Sequence, residues 1–189
     1  MLYISTPHEI SNLLSLLSCF ADDKIELSVH EMICKEDDSN QEAYQILNNG
    51  DRDDDNPIFD DDYLCIDLDS LECARRNRRK GMKCNNSSMD MAFFVEYNGN
   101  SYTVLVEFRL NFKITSNIKK DDLDKKVRCS ASCSRHLLKF PIYPKQYFIF
   151  PHEKLSQFKH RFRRMNPQCS PSYIPIDVSE LHKIFFSKP

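Results

Sequence analysis

Three ionisable residues flank the turn that the 189-residue chain signals most clearly. Asn98-Gly99 separates two apolar runs, 91–97 and 101–112, and that dipeptide between such runs is a strong hairpin signal. If Asn98 and Gly99 are the central pair of a type I′ turn, Tyr97 faces Asn100, Phe93 faces Val104, and Asp90 faces Glu107. Directly opposed side chains lie roughly 5 Å apart at Cβ, and like charges so placed destabilise a sheet. Such a pair persists where a cation is shared or where one carboxyl keeps its proton. Strand side chains alternate, so Arg109 shares the face of Glu107. A turn centred on Gly99-Asn100 instead sets Asp90 against Arg109 as a cross-strand salt bridge, and a three-residue loop breaks the cluster. Lys113 has the same parity but lies about 13 Å beyond Arg109 at roughly 3.3 Å per residue.

Other groups invite chemical readings. Cys129, Cys133 and His136 have the i, i+4, i+7 spacing that could present two thiolates and an imidazole to zinc from one helix face. Only one half of a zinc knuckle is present, so semi-buried thiols are the plainer reading. Arg75, Arg76, Arg78, Arg79 and Lys80 form a basic run. A second group, Arg161, Arg163 and Arg164, sits with Lys154 and Lys159 on an amphipathic stretch. Each reads as a solvated charged face or as a phosphate contact, since such clusters neutralise phosphates and release counterions. Gly50, Gly81 and Gly99 are too far apart for a glycine-rich phosphate loop or a dinucleotide fingerprint.

These residues need elements to position them. The first 35 residues read as helical, with Ile10, Leu13, Leu14, Leu16, Leu17 and Phe20 following a stripe after Thr6-Pro7. Residues 36–62 read as a mobile acidic loop. A calcium loop is disfavoured because Asn56 and Asp62 stand where Gly and Glu are needed. Strands are expected at 63–68, 91–97, 101–112, 146–150 and 173–176, with Pro175 marking a sheet edge. Helices are expected at 118–138, 152–164 and 178–186. The order implies an α/β fold, a mixed central sheet flanked by helices.

Asp90, the hairpin and then Glu107-Phe108-Arg109 together resemble the PD-(D/E)xK nuclease superfamily, with an Asp on one core strand and Glu-x-Lys on the next. The resemblance covers most of the chain in topology and three residues in motif. It implies a restriction-endonuclease-like core. It also implies that Asp90, Glu107 and the Phe108 carbonyl hold magnesium or manganese, and that the protein binds nucleic acid and hydrolyses phosphodiesters. Arg109 stands where the family usually has Lys. A guanidinium does not give up its proton near neutral pH, so Arg109 would contact the scissile phosphate rather than act as a base. The family's helical carboxylate is open between Glu9, Glu26 and Glu31. The alternative is a non-catalytic protein-interaction module on a decayed scaffold of the same kind.

Composition bounds all of this. Twenty-six basic against 28 acidic residues give a net charge of −2, which excludes a uniformly basic nucleic-acid binder but not a local basic groove. The length fits a single domain, 1–189. No apolar run reaches the roughly 20 residues of a membrane span, and the N-terminus lacks the pattern of a secretory signal. Eight scattered cysteines read as reduced thiols of a cytoplasmic protein.

Overall fold

The computed structural model describes residues 2–5, 25–36, 59, 63–78, 87–112, 114–138 and 140–187. In chain order the elements are β1 (Leu2–Ser5), β2 (Glu26–Ser28), α1 (Val29–Glu36), β3 (Leu64–Asp67), α2 (Leu68–Arg78), β4 (Met91–Tyr97), β5 (Asn100–Phe108), α3 (Lys120–Leu137), β6 (Ile142–Ile149), α4 (Leu155–Arg164), β7 (Tyr173–Ile176) and α5 (Val178–Phe185). The seven strands form one mixed sheet in the order β2-β3-β4-β5-β6-β7. Pairing is antiparallel from β2 to β5 and parallel from β5 to β7. β1 shares one edge of β4 with β3, pairing Leu2 to Ser5 with Tyr97 to Phe94 while β3 takes Met91 and Ala92.

The turn chemistry sets the register. Asn98 has φ 52° and Gly99 φ 72°, the left-handed pair that a type I′ turn requires. Tyr97 therefore pairs with Asn100, Phe93 with Val104 and Met91 with Val106. The next step of that ladder sets Asp90 opposite Glu107.

Alternation then sorts the side chains onto two faces. Met91, Phe93, Val95, Val104 and Val106 pack with Val29, Met32 and Ile33 of α1 and Val178, Leu181 and Phe185 of α5. Ala92, Phe94, Leu105 and Phe148 pack with α2, α3 and α4 through Leu71, Leu123, Phe158 and Phe162. Helices thus cover both faces, as the burial of near-continuous apolar strands demands. By parity, Asp90 and Glu107 belong to the face that α3 covers.

Several helices carry their own start signals. Ser28 and Glu31 form a capping box: the Ser28 N–H donates to Glu31 Oε2 (2.9 Å) and the Glu31 N–H to Ser28 Oγ (3.1 Å). Asp67 Oδ1 accepts the Ser70 N–H (3.0 Å) at the start of α2, and Asp177 Oδ1 accepts the Glu180 N–H (2.7 Å) at the start of α5.

Some expectations need correction. Leu2–Ser5 and Glu26–Ser28 are strands, not parts of an N-terminal helix, because each finds an open sheet edge. The 10–20 stripe lies outside the described residues. The basic run begins on a helix: Leu68 leaves the sheet directly into α2, whose Leu68, Leu71 and Ala74 are buried. β6 starts at Ile142, four residues before the apolar run, and β5 ends at Phe108. Of the 36–62 segment, Glu36 closes α1, and Phe59 is fully buried with its ring against Phe186 and His182; residues 37–58 and 60–62 lie outside the described set. Cys73 is disulfide-bonded, so the expectation of eight reduced thiols fails there. Cys65, Cys129, Cys133 and Cys169 are free thiols. Among the described residues, no helix is long and apolar enough to cross a membrane.

Candidate functional site

The sheet brings Asp90, Glu107 and Arg109 together, and α3 adds a fourth group, Lys126. Asp90 precedes β4 and is held from two sides. Its carbonyl accepts the Leu68 N–H (2.9 Å), and its Oδ2 accepts the Phe108 N–H (2.6 Å). Glu107, next to last in β5, has 1% exposure, and Asp90 has 5%. The Lys126 ammonium lies 2.7 Å from Glu107 Oε1, 2.9 Å from Oε2 and 3.4 Å from Asp90 Oδ1. Arg109 Nη2 makes a 2.8 Å ion pair with Glu107 Oε1, and its guanidinium stacks 4.7 Å over the Phe112 ring.

Helix α3 is aimed at this point by a serine. Ser130 Oγ accepts the Met89 N–H (2.6 Å) and donates to the Lys126 carbonyl (2.9 Å). One hydroxyl thus ties the residue before Asp90 to the helical turn that carries Lys126.

A second acidic layer adjoins the first. Asp67 holds Lys35 (2.6 Å) and the Ser70 hydroxyl (2.6 Å). Asp69, in the first turn of α2, accepts from Ser88 Oγ (2.5 Å). Glu36, at the end of α1, lies within electrostatic reach of Asp90 and Asp69. Once Lys35 is set against Asp67, four carboxyl groups among the described residues (Glu36, Asp69, Asp90, Glu107) face two described cations, Lys126 and Arg109.

Proton affinities follow from that imbalance. Burial first, and then the Asp90 charge, push the Glu107 carboxyl up to about 8, against Arg109 and Lys126. Burial raises Asp90 as well, opposed by Lys126 and the Phe108 N–H. Burial and the neighbouring Asp90 push Glu36 up to about 7. Burial alone would lower Lys126, but Asp90 and Glu107 outweigh it and hold the ammonium above the ordinary lysine value. Paired groups perturbed by desolvation and specific charges are the physical mark of a functional-site candidate.

The donor set suits a hard divalent cation. Magnesium binds through one or two carboxylates, keeps several waters and does not require a protein cage. Asp90 and Glu107 supply two hard oxygen groups whose mutual repulsion a doubly charged ion relieves. Among the described residues, no three His, Cys, Asp or Glu side chains form a ready-made metal cage.

The other candidates do not join this cluster. Cys133 is buried, with its thiol pushed up to about 11 by burial, whereas His136 is exposed and bonds the Ser132 carbonyl of its own helix. The two therefore point apart. Arg76 pairs with Glu72 one turn back along α2, and the half-buried Arg75 is close enough to Cys133 to lower its thiol. The side chains of Arg78, Arg79 and Lys80 lie outside the described residues. Arg161 donates to the Ile118 carbonyl (3.3 Å), and Arg163 and Arg164 are exposed on α4. Of the helical carboxylates, Glu31 serves its capping box, Glu26 lies on β2, and Glu9 is outside the described residues.

Sequence reasoning missed Lys126, Asp69 and Glu36. Lys126 left one usable signal, the short polar side of a lysine-bearing helix placed directly after the Glu107 strand. Asp69 and Glu36 left none beyond their acidity. No family model matches the chain, no curated protein matches it, and no solved structure matches it.

Proposed function

We propose that the Asp90–Glu107–Lys126 cluster is a divalent-metal-dependent phosphodiester-cleaving site on a restriction-endonuclease-like core, acting on nucleic acid. One observation carries the reading: two acids sit directly opposite across a hairpin, joined by a single ammonium, inside a surplus of negative charge. A sheet does not gain stability from that arrangement, so a ligand is the physical reason to retain it.

Asp90, Glu107 and the Phe108 carbonyl would hold magnesium or manganese. When bound, the ion lowers the pKa of a ligated water and offsets charge developing on the phosphate. Lys126 takes the place left by the motif lysine: an ammonium between the two acids is positioned to donate to a phosphate oxygen or to orient a water. Arg109 fixes the Glu107 carboxylate instead of touching substrate, since its Nη2 is engaged there and its plane is pinned on Phe112. Glu36, near neutrality in proton affinity, can take a proton at the rim. The site lies past the C-terminal ends of β3 and β5, the end of an open α/β sheet where ligands characteristically bind.

A second reading rests on a specific observation. Lys126 already bridges both acids, and both are almost fully buried, which suits a structural ion-pair cluster in a non-catalytic protein-interaction module. Calorimetric titration with manganese separates the two, accompanied by cleavage assays on single- and double-stranded DNA and RNA. The active site predicts metal binding that Asp90→Asn abolishes. It also predicts cleavage that Lys126→Met lowers by about 10²- to 10⁴-fold, the range for a positioned proton-transfer or charge-stabilising group. Absence of heat in the wild type, or equal cleavage by wild type and Lys126→Met, refutes it in favour of the structural cluster.

A further inference from the structure

Helix α4 carries Lys159, His160, Arg161, Arg163 and Arg164 and no acidic residue. Its apolar side, Leu155, Phe158 and Phe162, is spent on the core, with Phe158 fully buried and stacked 4.0 Å from Phe150. What remains outward is cationic. Lys159 is paired with Glu180 and Arg161 with a backbone carbonyl. His160, Arg163 and Arg164 have no ion pair among the described residues and face solvent.

The helix also separates two open grooves. One lies against the 115–117 turn and is lined by Thr115, Ser156, Gln157, His160, Arg161 and Arg164. Every one of those side chains can donate a hydrogen bond. The other groove, toward β7, sets Lys159, Arg163 and Gln168 beside an apolar wall that includes Phe162, Ile174 and Pro175. Among the described residues, no carboxylate lines either groove, in a chain whose net charge is −2. Of the acids that contact groove residues, Glu180 is engaged by Lys159 and Asp124 by Lys120 and Tyr173; Glu153, one turn before Gln157, is exposed and lies 3.5 Å from Lys154.

We infer that α4 and its two flanking grooves form a docking surface for the sugar–phosphate backbone of a nucleic acid. Walls that carry guanidinium groups and hydrogen-bond donors and no carboxylate favour anionic oxygens over cations. Arg164 on one flank and Arg163 on the other give phosphates two separate anchoring points across a single helix. A membrane surface is the poorer fit. Interfacial helices hold lipid by burying an apolar face among acyl chains, and on α4 that face is already inside the protein. The surface rests on its own residues and not on the cleavage reading, since none of them contacts the Asp90–Glu107 cluster.

The test is fluorescence anisotropy of the full chain with a labelled duplex oligonucleotide and its single strand, in EDTA, over a series of salt concentrations. The variants are Arg163→Glu/Arg164→Glu, both exposed and so compatible with folding, and, as a charge-reversal control, Lys183→Glu, exposed on α5. Binding that weakens with salt is expected. The double variant should lose about tenfold or more in affinity, with the salt slope reduced by about 2, as for two lost phosphate contacts. Lys183→Glu should bind within about twofold of the wild type. Equal affinity and slope in the wild type and the double variant overturn the inference. So does binding to phosphatidylserine vesicles with none to either oligonucleotide. Retained α4-dependent binding without cleavage in the wild type would dispose of the cleavage reading alone.

Discussion

Glu107→Gln separates a functional acidic site from a structural ion pair by the sign of its effect. The ionised carboxylate is harder to keep in the folded chain than in the unfolded one. At about 1.36 kcal/mol per tenfold change in proton affinity, a rise from an ordinary 4.5 to about 8 corresponds to a penalty on the order of 5 kcal/mol once the group is ionised. The favourable pulls of Lys126 and Arg109 are already contained in that net rise. Because the folded value lies above the unfolded one, the contribution of Glu107 to stability is fully present below about pH 4.5. It fades as pH climbs toward 8 and is gone above it. Glutamine has the same shape and no proton to lose, so this dependence vanishes. Urea unfolding of both proteins at pH 5 and pH 8.5 is the assay. The wild type should lose several kcal/mol more than the variant across that interval, and the variant should be the more stable protein at pH 8.5. Manganese should recover stability for the wild type at the higher pH and not for the variant. An ordinary structural salt bridge gives the opposite sign, because removing one partner of a buried pair costs about 3 to 5 kcal/mol. Glu107→Gln less stable than wild type at pH 8.5, with parallel pH profiles, would refute the reasoning.

Three further outcomes test the frame around the site. Gly99→Ala should cost about 1 kcal/mol through its φ of 72° alone, since nothing lies within 4 Å of the added carbon; unfolding midpoints in urea check it. Asp67→Asn should destabilise by about 1 to 3 kcal/mol, because this buried acid caps α2 and holds both Ser70 and Lys35, and chemical denaturation reads the loss. Phe158→Ala should cost about 3 to 5 kcal/mol as a cavity beneath α4, and a thermal midpoint unchanged from wild type would contradict that packing.

The hairpin shows how far local chemistry reaches. Asn98-Gly99 selects one turn type, the turn selects one register, and period-two alternation places Asp90 and Glu107 on one face. Each step involves neighbours in sequence, so the hairpin was legible, while the choice among its three possible registers came from the positive φ of Asn98 and Gly99. The parallel half of the sheet was legible more coarsely. β6, α4, β7 and α5 stand near their expected places, and Pro175 lies on the edge strand β7. The N-terminal part was not. β1 and β2 are only four and three residues long, and such strands exist because a distant edge accepts their backbone groups. α2 was hidden for a related reason: its start depends on Asp67, which also ends a strand, and its polar composition gives it a weak helical stripe.

What the sequence by itself determined is a hairpin able to gather Asp90, Glu107 and Arg109, together with an α/β order of elements; which residue faces Asp90 came with the left-handed Asn98 and Gly99. Only the tertiary structure decided what those carboxylates meet. Lys126 lies 19 residues from Glu107 and 36 from Asp90, and Glu36 reaches the same rim from the helix on the opposite face of the sheet. Helical periodicity says which residues share a stripe. It does not say how far the helix is rotated or slid against the sheet. That is set by packing of Leu123 and Cys133 in the core and by the Ser130 hydroxyl that pins α3 beside Met89.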